Sequence, residues 1–234
     1  MKNNGMDIAG QKDALLDAAL DHVAFDGWSD RCFAAAAADA GIEPAMARLI
    51  CPRGALDLAV AYHRRGDAQM AERLAAADIG GRRYRDRVAL AVRSRLETAD
   101  TEAVRRAAAL FALPMNAPTG ARLIWGTADT IWRALGDTSD DINWYSKRAT
   151  LAGVYSATVL FWLGDTSDGH ADSWNFLDRR IDDVMRIEKT KAKLRDNPLS
   201  SRLLAGPMKM LEKVHAPAAP RNDLPGRIRP KEKT

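Results

Sequence analysis

The sequence predicts an all-α helical bundle, and three observations carry that reading. Apolar residues recur at three- and four-residue spacing through nearly all of the 234-residue chain. No window alternates at period two with β-branched enrichment, so no strand is expected. Gly and Pro fall in short breaks between the periodic stretches, where helix boundaries belong. With 47% hydrophobic residues the chain is long and apolar enough to bury a proper core. About nine or ten helices are expected.

Residues ahead of Asp7 are expected to stay disordered. Ile8, Leu15, Leu16, Ala19 and Leu20 then share one helical face, giving a first helix over Ile8 to Leu20. Phe25 to Asp30 (FDGWSD) reads as a turn with Ser29 as N-cap. Three helical segments follow, Asp30 to Ala40, Pro44 to Ile50 and Gly54 to Arg65. Ala40-Gly41-Ile42 makes the first turn among them, and Pro44 suits a first helical position. Gly66-Asp67 is expected to break the chain before a helix over Ala68 to Ala77. Gly80-Gly81 leads into Arg82 to Thr98, then Glu102 to Leu113 ends at Pro114. Asn116 to Gly120 reads as a turn, and Ala121 to Leu135 as a helix carrying Trp125 and Trp132.

Gly136 to Leu163 is the stretch around which the rest is organised. Thr138 offers an N-cap with Asp141 three residues on, the spacing of a capping box. No residue from Ala149 to Leu163 carries a charge, so this helix is expected to be buried on most sides. The uncharged run is too short to cross a bilayer, which takes roughly 20 apolar residues. At its mouth stand Asp141, Trp144, Tyr145, Lys147 and Arg148. Aromatic and basic groups make the anchors of protein interfaces, so these five form the candidate partner-binding set. A helix packing its aromatics inward, with its charges paired to Asp140 or Asp141, would read the same way. GDTSD recurs at Gly164 to Asp168 ahead of a helix over His170 to Leu194, and equivalent caps are expected at the two copies.

Charge divides the chain unevenly. From Lys191 onward eleven Lys and Arg face four Asp and Glu, whereas the remainder holds 24 basic and 27 acidic residues. An acidic partner is therefore sought at the tail. Cys32 and Cys51 have no metal or CxxC spacing, which points to a reduced intracellular setting. His22, His63, His170 and His215 lack ExxH or HxxxH partners and read as surface or capping residues, so no metal is expected. No nucleophile elbow, phosphate loop or dinucleotide fingerprint occurs. An enzyme is not expected, and no cofactor.

Three regions follow: 8–66, 67–194 and 195–234. Ala38 to Leu58 has the layout of a helix-turn-helix and resembles the N-terminal module of TetR-type repressors. Its reading helix offers Ala45, Met46, Ala47 and Leu49 with only Arg48 polar, a poor reader of phosphates and base edges. No nucleic-acid partner is expected, although a ligand-responsive repressor stays as the alternative. In the tail, Leu199, Leu203, Leu204, Met208, Met210, Leu211 and Val214 gather on one half of a helical wheel, opposite Arg202, Lys209, Glu212 and Lys213. A helix of this form lies in a membrane interface. Docking on its own bundle is the other possibility, and Pro207 should kink it.

GDTSDDINWYSKRATLAGVYSATVLFWL with DTSDGHADSWNFLDRRIDDV, LPMNAPTGARLIWGTADTIWRALGD and LDAALDHVAFDGWSD resemble the coenzyme Q biosynthesis factor nine family over roughly Leu15 to Glu188. The resemblance implies a TetR-like all-helical fold, often a homodimer, with an apolar cavity for isoprenoid or quinone lipid. It implies a peripheral membrane role beside the di-iron hydroxylase of late ubiquinone synthesis. Asp141, Trp144 and Tyr145 match the family's DxxWY element on the surface facing that hydroxylase. The tail after Pro207 departs from the pattern. No transit peptide is seen, so a bacterial member at the cytoplasmic face of the inner membrane is expected, or the matrix side if eukaryotic.

Overall fold

Residues 8–196 and 214–217 are described in a computed structural model of the chain. Among them there are nine α-helices and no strand: α1 (Ile8–Asp26), α2 (Asp30–Asp39), α3 (Pro44–Ile50), α4 (Ala55–Ala76), α5 (Tyr84–Glu97), α6 (Thr101–Ala112), α7 (Ala117–Ala134), α8 (Ile142–Trp162) and α9 (Ala171–Asp196). A short 3-10 turn over Asp168–His170 leads into α9. No helix among the described residues is long and apolar enough to cross a membrane.

Local chemistry sets most boundaries. Ser29 caps α2 by accepting from the Cys32 amide, and Asp100 caps α6 by accepting from the Ala103 amide. Glu43 caps α3 through the amides of Ala45 and Met46, with Pro44 in the first turn. Two apolar cores form. One gathers Leu15, Leu16, Phe33 and Leu58 from α1 to α4 with Ala103 of α6. The other gathers Met70, Val92, Ile131, Leu151 and Leu177. The Trp28 indole N–H donates to the Ala103 carbonyl at 3.1 Å and ties the first core to α6.

Three expectations about element boundaries fail. Gly66-Asp67 does not break the chain, because α4 runs through both residues and contributes to both cores. Gly66 is needed for close approach: a Cβ there would lie 2.5 Å from the Arg95 Cζ of α5. α7 begins at Ala117, absorbing the expected turn, because Pro118 fits its first turn and Gly120 presses on Phe111 of α6. At the front of α8 the cap is Asp141 and not Thr138, with the Asp141 carboxylate accepting from the Asn143 amide at 2.9 Å.

The uncharged part of α8, from Ala149 onward, is also less enclosed than its composition suggests. Leu151, Val154, Tyr155, Thr158 and Trp162 are buried, but Ala149, Gly153, Leu160 and Phe161 are exposed. The expected amphipathic helix over Leu199 to Val214 lies outside the described residues, save for Val214 at its end. Val214 is half-buried and belongs to no helix.

Candidate functional site

Successive turns of α8 line two cavities and present the aromatic cluster at its N-terminal end. The larger cavity, about 270 Å³, is walled by Val104, Ala107 and Phe111 of α6, Gly120 and Ile124 of α7, and Val159 and Leu160 of α8. Its size falls just below the range of roughly 300–1,000 Å³ for small-molecule sites. It can seat a ring or a short apolar segment. Leu160 of that wall is exposed, as are Leu113 and Met115 in the turn between α6 and α7.

The polar part of the wall comes from Tyr62, His63, Arg95 and Tyr155. Arg95, 3% exposed, donates to the Asp67 carboxylate at 2.7 Å and to the His63 carbonyl at 3.0 Å. Thr127 donates its single hydroxyl hydrogen toward Asp67, at 3.0 Å. The His63 Nε2, 2.8 Å from that oxygen, is left to donate to it. Burial, partly opposed by Asp67 and reinforced by Arg95, holds the His63 pKa down at about 4, so the ring is neutral near pH 7. Burial likewise raises Tyr155, keeping its hydroxyl protonated. One buried cation meets one carboxylate, and the other groups are uncharged. The wall can hydrogen-bond a neutral oxygen and has no spare charge for an ionic head group.

The smaller cavity, about 190 Å³, lies between Tyr84, Arg85 and Val88 of α5, Trp132 of α7, Lys147, Leu151 and Val154 of α8, and Ile181 and Met185 of α9. Trp132 stacks on Tyr84 with ring centroids 5.5 Å apart. Its indole N–H is buried without a protein partner. Such a donor costs about 1–3 kcal/mol if left unbonded.

The five predicted partner residues separate by depth. Trp144 and Tyr145 are half-buried and meet edge to face, centroids 4.7 Å apart, with Trp125 behind Trp144 at 5.9 Å. Asp141 is exposed at the helix start. Lys147 is tied to Asp137 and Ser139, both at 2.7 Å. Arg148 sits inside, 2% exposed, bonded to Asp129 at 2.7 Å and Asp137 at 3.2 Å, with its guanidinium 4.0 Å from the Trp144 ring centroid. It supports the aromatic pair from beneath and does not face solvent. Burial of Asp137 is outweighed by its bonds from Lys147, Ser139 and Arg148, which hold its pKa below the usual range. The two GDTSD copies are therefore not equivalent. Asp137 anchors two cations of α8, whereas its counterpart Asp165 accepts from the amides of Ser167 and Ser173 and caps α9.

His63 is a half-buried core group and not the surface residue expected from sequence. Asp67, Arg95 and Tyr155 were not foreseen as site residues, and their only sequence signal is a carboxylate interrupting the apolar face of a helix. Cys32 and Cys51 are both buried and unpaired. No cluster of three metal-ligating side chains occurs among the described residues.

Residues 117–188 match the family COQ9. The Drosophila melanogaster ubiquinone biosynthesis protein COQ9, mitochondrial, is 33% identical over 180 residues, covering 74% of this chain and 55% of the relative. The Homo sapiens protein of the same name is 30% identical over 184 residues, covering 75% and 58%. The chain spans somewhat more than half the length of the curated relatives it matches. Among solved structures, a TetR transcriptional regulator from Nitrosomonas europaea superposes with a TM-score of 0.60 at 19% identity, covering 73% of this chain and 95% of that one. The fold is TetR-like, as α1 to α3 and the bundle behind them suggest.

Proposed function

The chain belongs to the COQ9 family, and from that premise we propose that it serves ubiquinone biosynthesis as a non-catalytic lipid-binding protein. It holds an isoprenoid quinone intermediate at the membrane surface and presents it to the pathway's di-iron hydroxylase. The observation that carries this reading is the half-open apolar cavity with a charge-balanced polar wall at Tyr62, His63, Arg95 and Tyr155. A quinone or phenol oxygen is a neutral hydrogen-bond partner, which that wall suits. Each CH₂ kept from water contributes about 0.8 kcal/mol, so the prenyl chain supplies most of the affinity and the wall its orientation.

The half-buried pair Trp144 and Tyr145, set on Arg148 and flanked by Asp141 and Lys147, is the surface proposed for the hydroxylase. It shares Lys147 with the smaller cavity, so a lipid there would lie next to the docked enzyme. The exposed apolar residues of α8, Gly153, Leu160 and Phe161, are the face proposed for a homodimer. Membrane attachment is assigned to the basic amphipathic segment Leu199 to Val214. A role with nucleic acid is not proposed. The exposed residues of α3 include Ala45, Met46 and Leu49, and its Arg48 is engaged by Asp30 at 2.9 Å.

The test separates partner from lipid. Trp144→Ala should weaken hydroxylase binding at least tenfold in titration calorimetry while leaving the co-purified lipid unchanged. Unaltered hydroxylase binding would remove this surface from the proposal.

A further inference from the structure

Apart from the helices, one short piece of the tail has a described position. Val214 to Pro217 crosses the front of α8 and belongs to no secondary structure. The Ala216 amide donates to the Asp140 carbonyl at 2.7 Å, and the Tyr145 hydroxyl donates to the His215 carbonyl at 3.3 Å. The His215 carbonyl and the Ala216 N–H belong to the same peptide unit. In a trans peptide these two groups point in opposite directions. Asp140 and Tyr145 therefore grip a single peptide unit from its two sides. Neither bond involves a tail side chain, and His215 is exposed. What is recognised is an extended backbone, which the following Pro217 favours at Ala216.

We propose that Asp140 and Tyr145 form a clamp for extended peptide backbone, and that its occupant in the free protein is this chain's own segment Val214 to Pro217. The clamp stands on geometry alone. One consequence rests on the hydroxylase surface proposed above: Tyr145 cannot hold the tail and a partner's backbone together, so partner docking requires the tail to leave. A second rests on the tail sequence. Val214 is the last residue of the basic amphipathic segment, so drawing that segment onto an anionic surface pulls on the clamped peptide. The contact consists of two hydrogen bonds of modest net strength, which makes it releasable.

Cys32 and Cys51 are fully buried and free, so spin labels can be directed to introduced cysteines. Labels at His215→Cys and at exposed Glu72→Cys on α4 report the tail position by double electron–electron resonance on the full-length chain. The free protein should give one narrow distance. Ala216→Pro, which deletes the donated N–H, and Tyr145→Phe, which deletes the hydroxyl, should each broaden it. A broad distribution in the parent, or an equally narrow one in both variants, overturns the clamp. Vesicles of equal phosphatidylglycerol and phosphatidylcholine should broaden the parent distribution, and an unchanged narrow distance overturns the coupling to membrane. Ala216→Pro should also raise hydroxylase affinity severalfold. A narrow distance without any hydroxylase binding leaves the clamp standing and defeats the partner reading.

Discussion

Replacing Asp67 by Asn tests both the packing and the selectivity of the cavity wall. The substitution keeps size and shape but removes the charge that balances Arg95, whose side chain is 3% exposed and 2.7 Å from the carboxylate. Breaking a buried ion pair by removing one partner costs about 3–5 kcal/mol, because the remaining charge stays out of water. For a chain of this size each kcal/mol moves Tm by about 2–4 °C, so a fall of about 6–20 °C is expected by calorimetry. Thr127 can still donate to the Asn oxygen, which places the loss on Arg95 and not on that hydroxyl. The double variant Asp67→Asn/Arg95→Met removes both charges and should recover most of the loss. The single variant also leaves the wall cationic, so its bound lipid should shift from neutral toward anionic head groups. A Tm within a degree of the parent, with the same lipid class bound, would refute the role given to this pair.

Other consequences follow from the same geometry. Gly66→Ala should lower Tm, against the gain of about 1 kcal/mol usual for this exchange inside a helix, because the new Cβ would strike the Arg95 guanidinium at 2.5 Å; a rise in Tm would contradict it. His63 titrates at about 4 when folded and near 6.5 when unfolded. Between those values the unfolded chain takes up a proton that the folded chain refuses, so stability must fall as pH drops from 6.5 to 4. The loss is at most about 1.4 kcal/mol per pH unit, or about 3 kcal/mol in all. Denaturant titrations at both pH values should show His63→Gln flattening this dependence, and an undiminished slope would exclude His63 as its source.

The fold was legible where boundary signals are local. Ser29, Pro44 and the turn at Gly41 act within a few residues, and the structure uses each as its chemistry suggests. Gly66-Asp67 misled because the reason for that glycine lies on another helix, in the buried end of Arg95. Thr138 was a plausible cap until Asp141, three residues closer to the helix, took the role. The aromatic pair at Trp144 and Tyr145 could be singled out because it is contiguous. The depth of Arg148 could not, since Asp129 and Asp137 approach it from α7 and the following loop. The cavity wall was hidden for the same reason. His63, Asp67, Arg95, Thr127 and Tyr155 come from four helices, and beyond the i,i+4 pair His63 and Asp67 no spacing along the chain relates them. Likewise, the uncharged run from Ala149 to Leu163 suggested burial on most sides, and composition alone could not reveal the exposed side carrying Gly153 and Leu160.

The central claim is that this bundle works by sheltering an apolar molecule with a neutral polar end. The most direct measurement is mass spectrometry of lipid extracted from the natively purified full-length protein, beside an Ala108→Trp variant that fills the larger cavity. A neutral prenylated phenol or quinone bound near one per chain, and lost in a variant that still melts cooperatively, is the predicted result. A parent protein without such a lipid when purified from a quinone-producing host, or a filled variant that retains it fully, would contradict the claim.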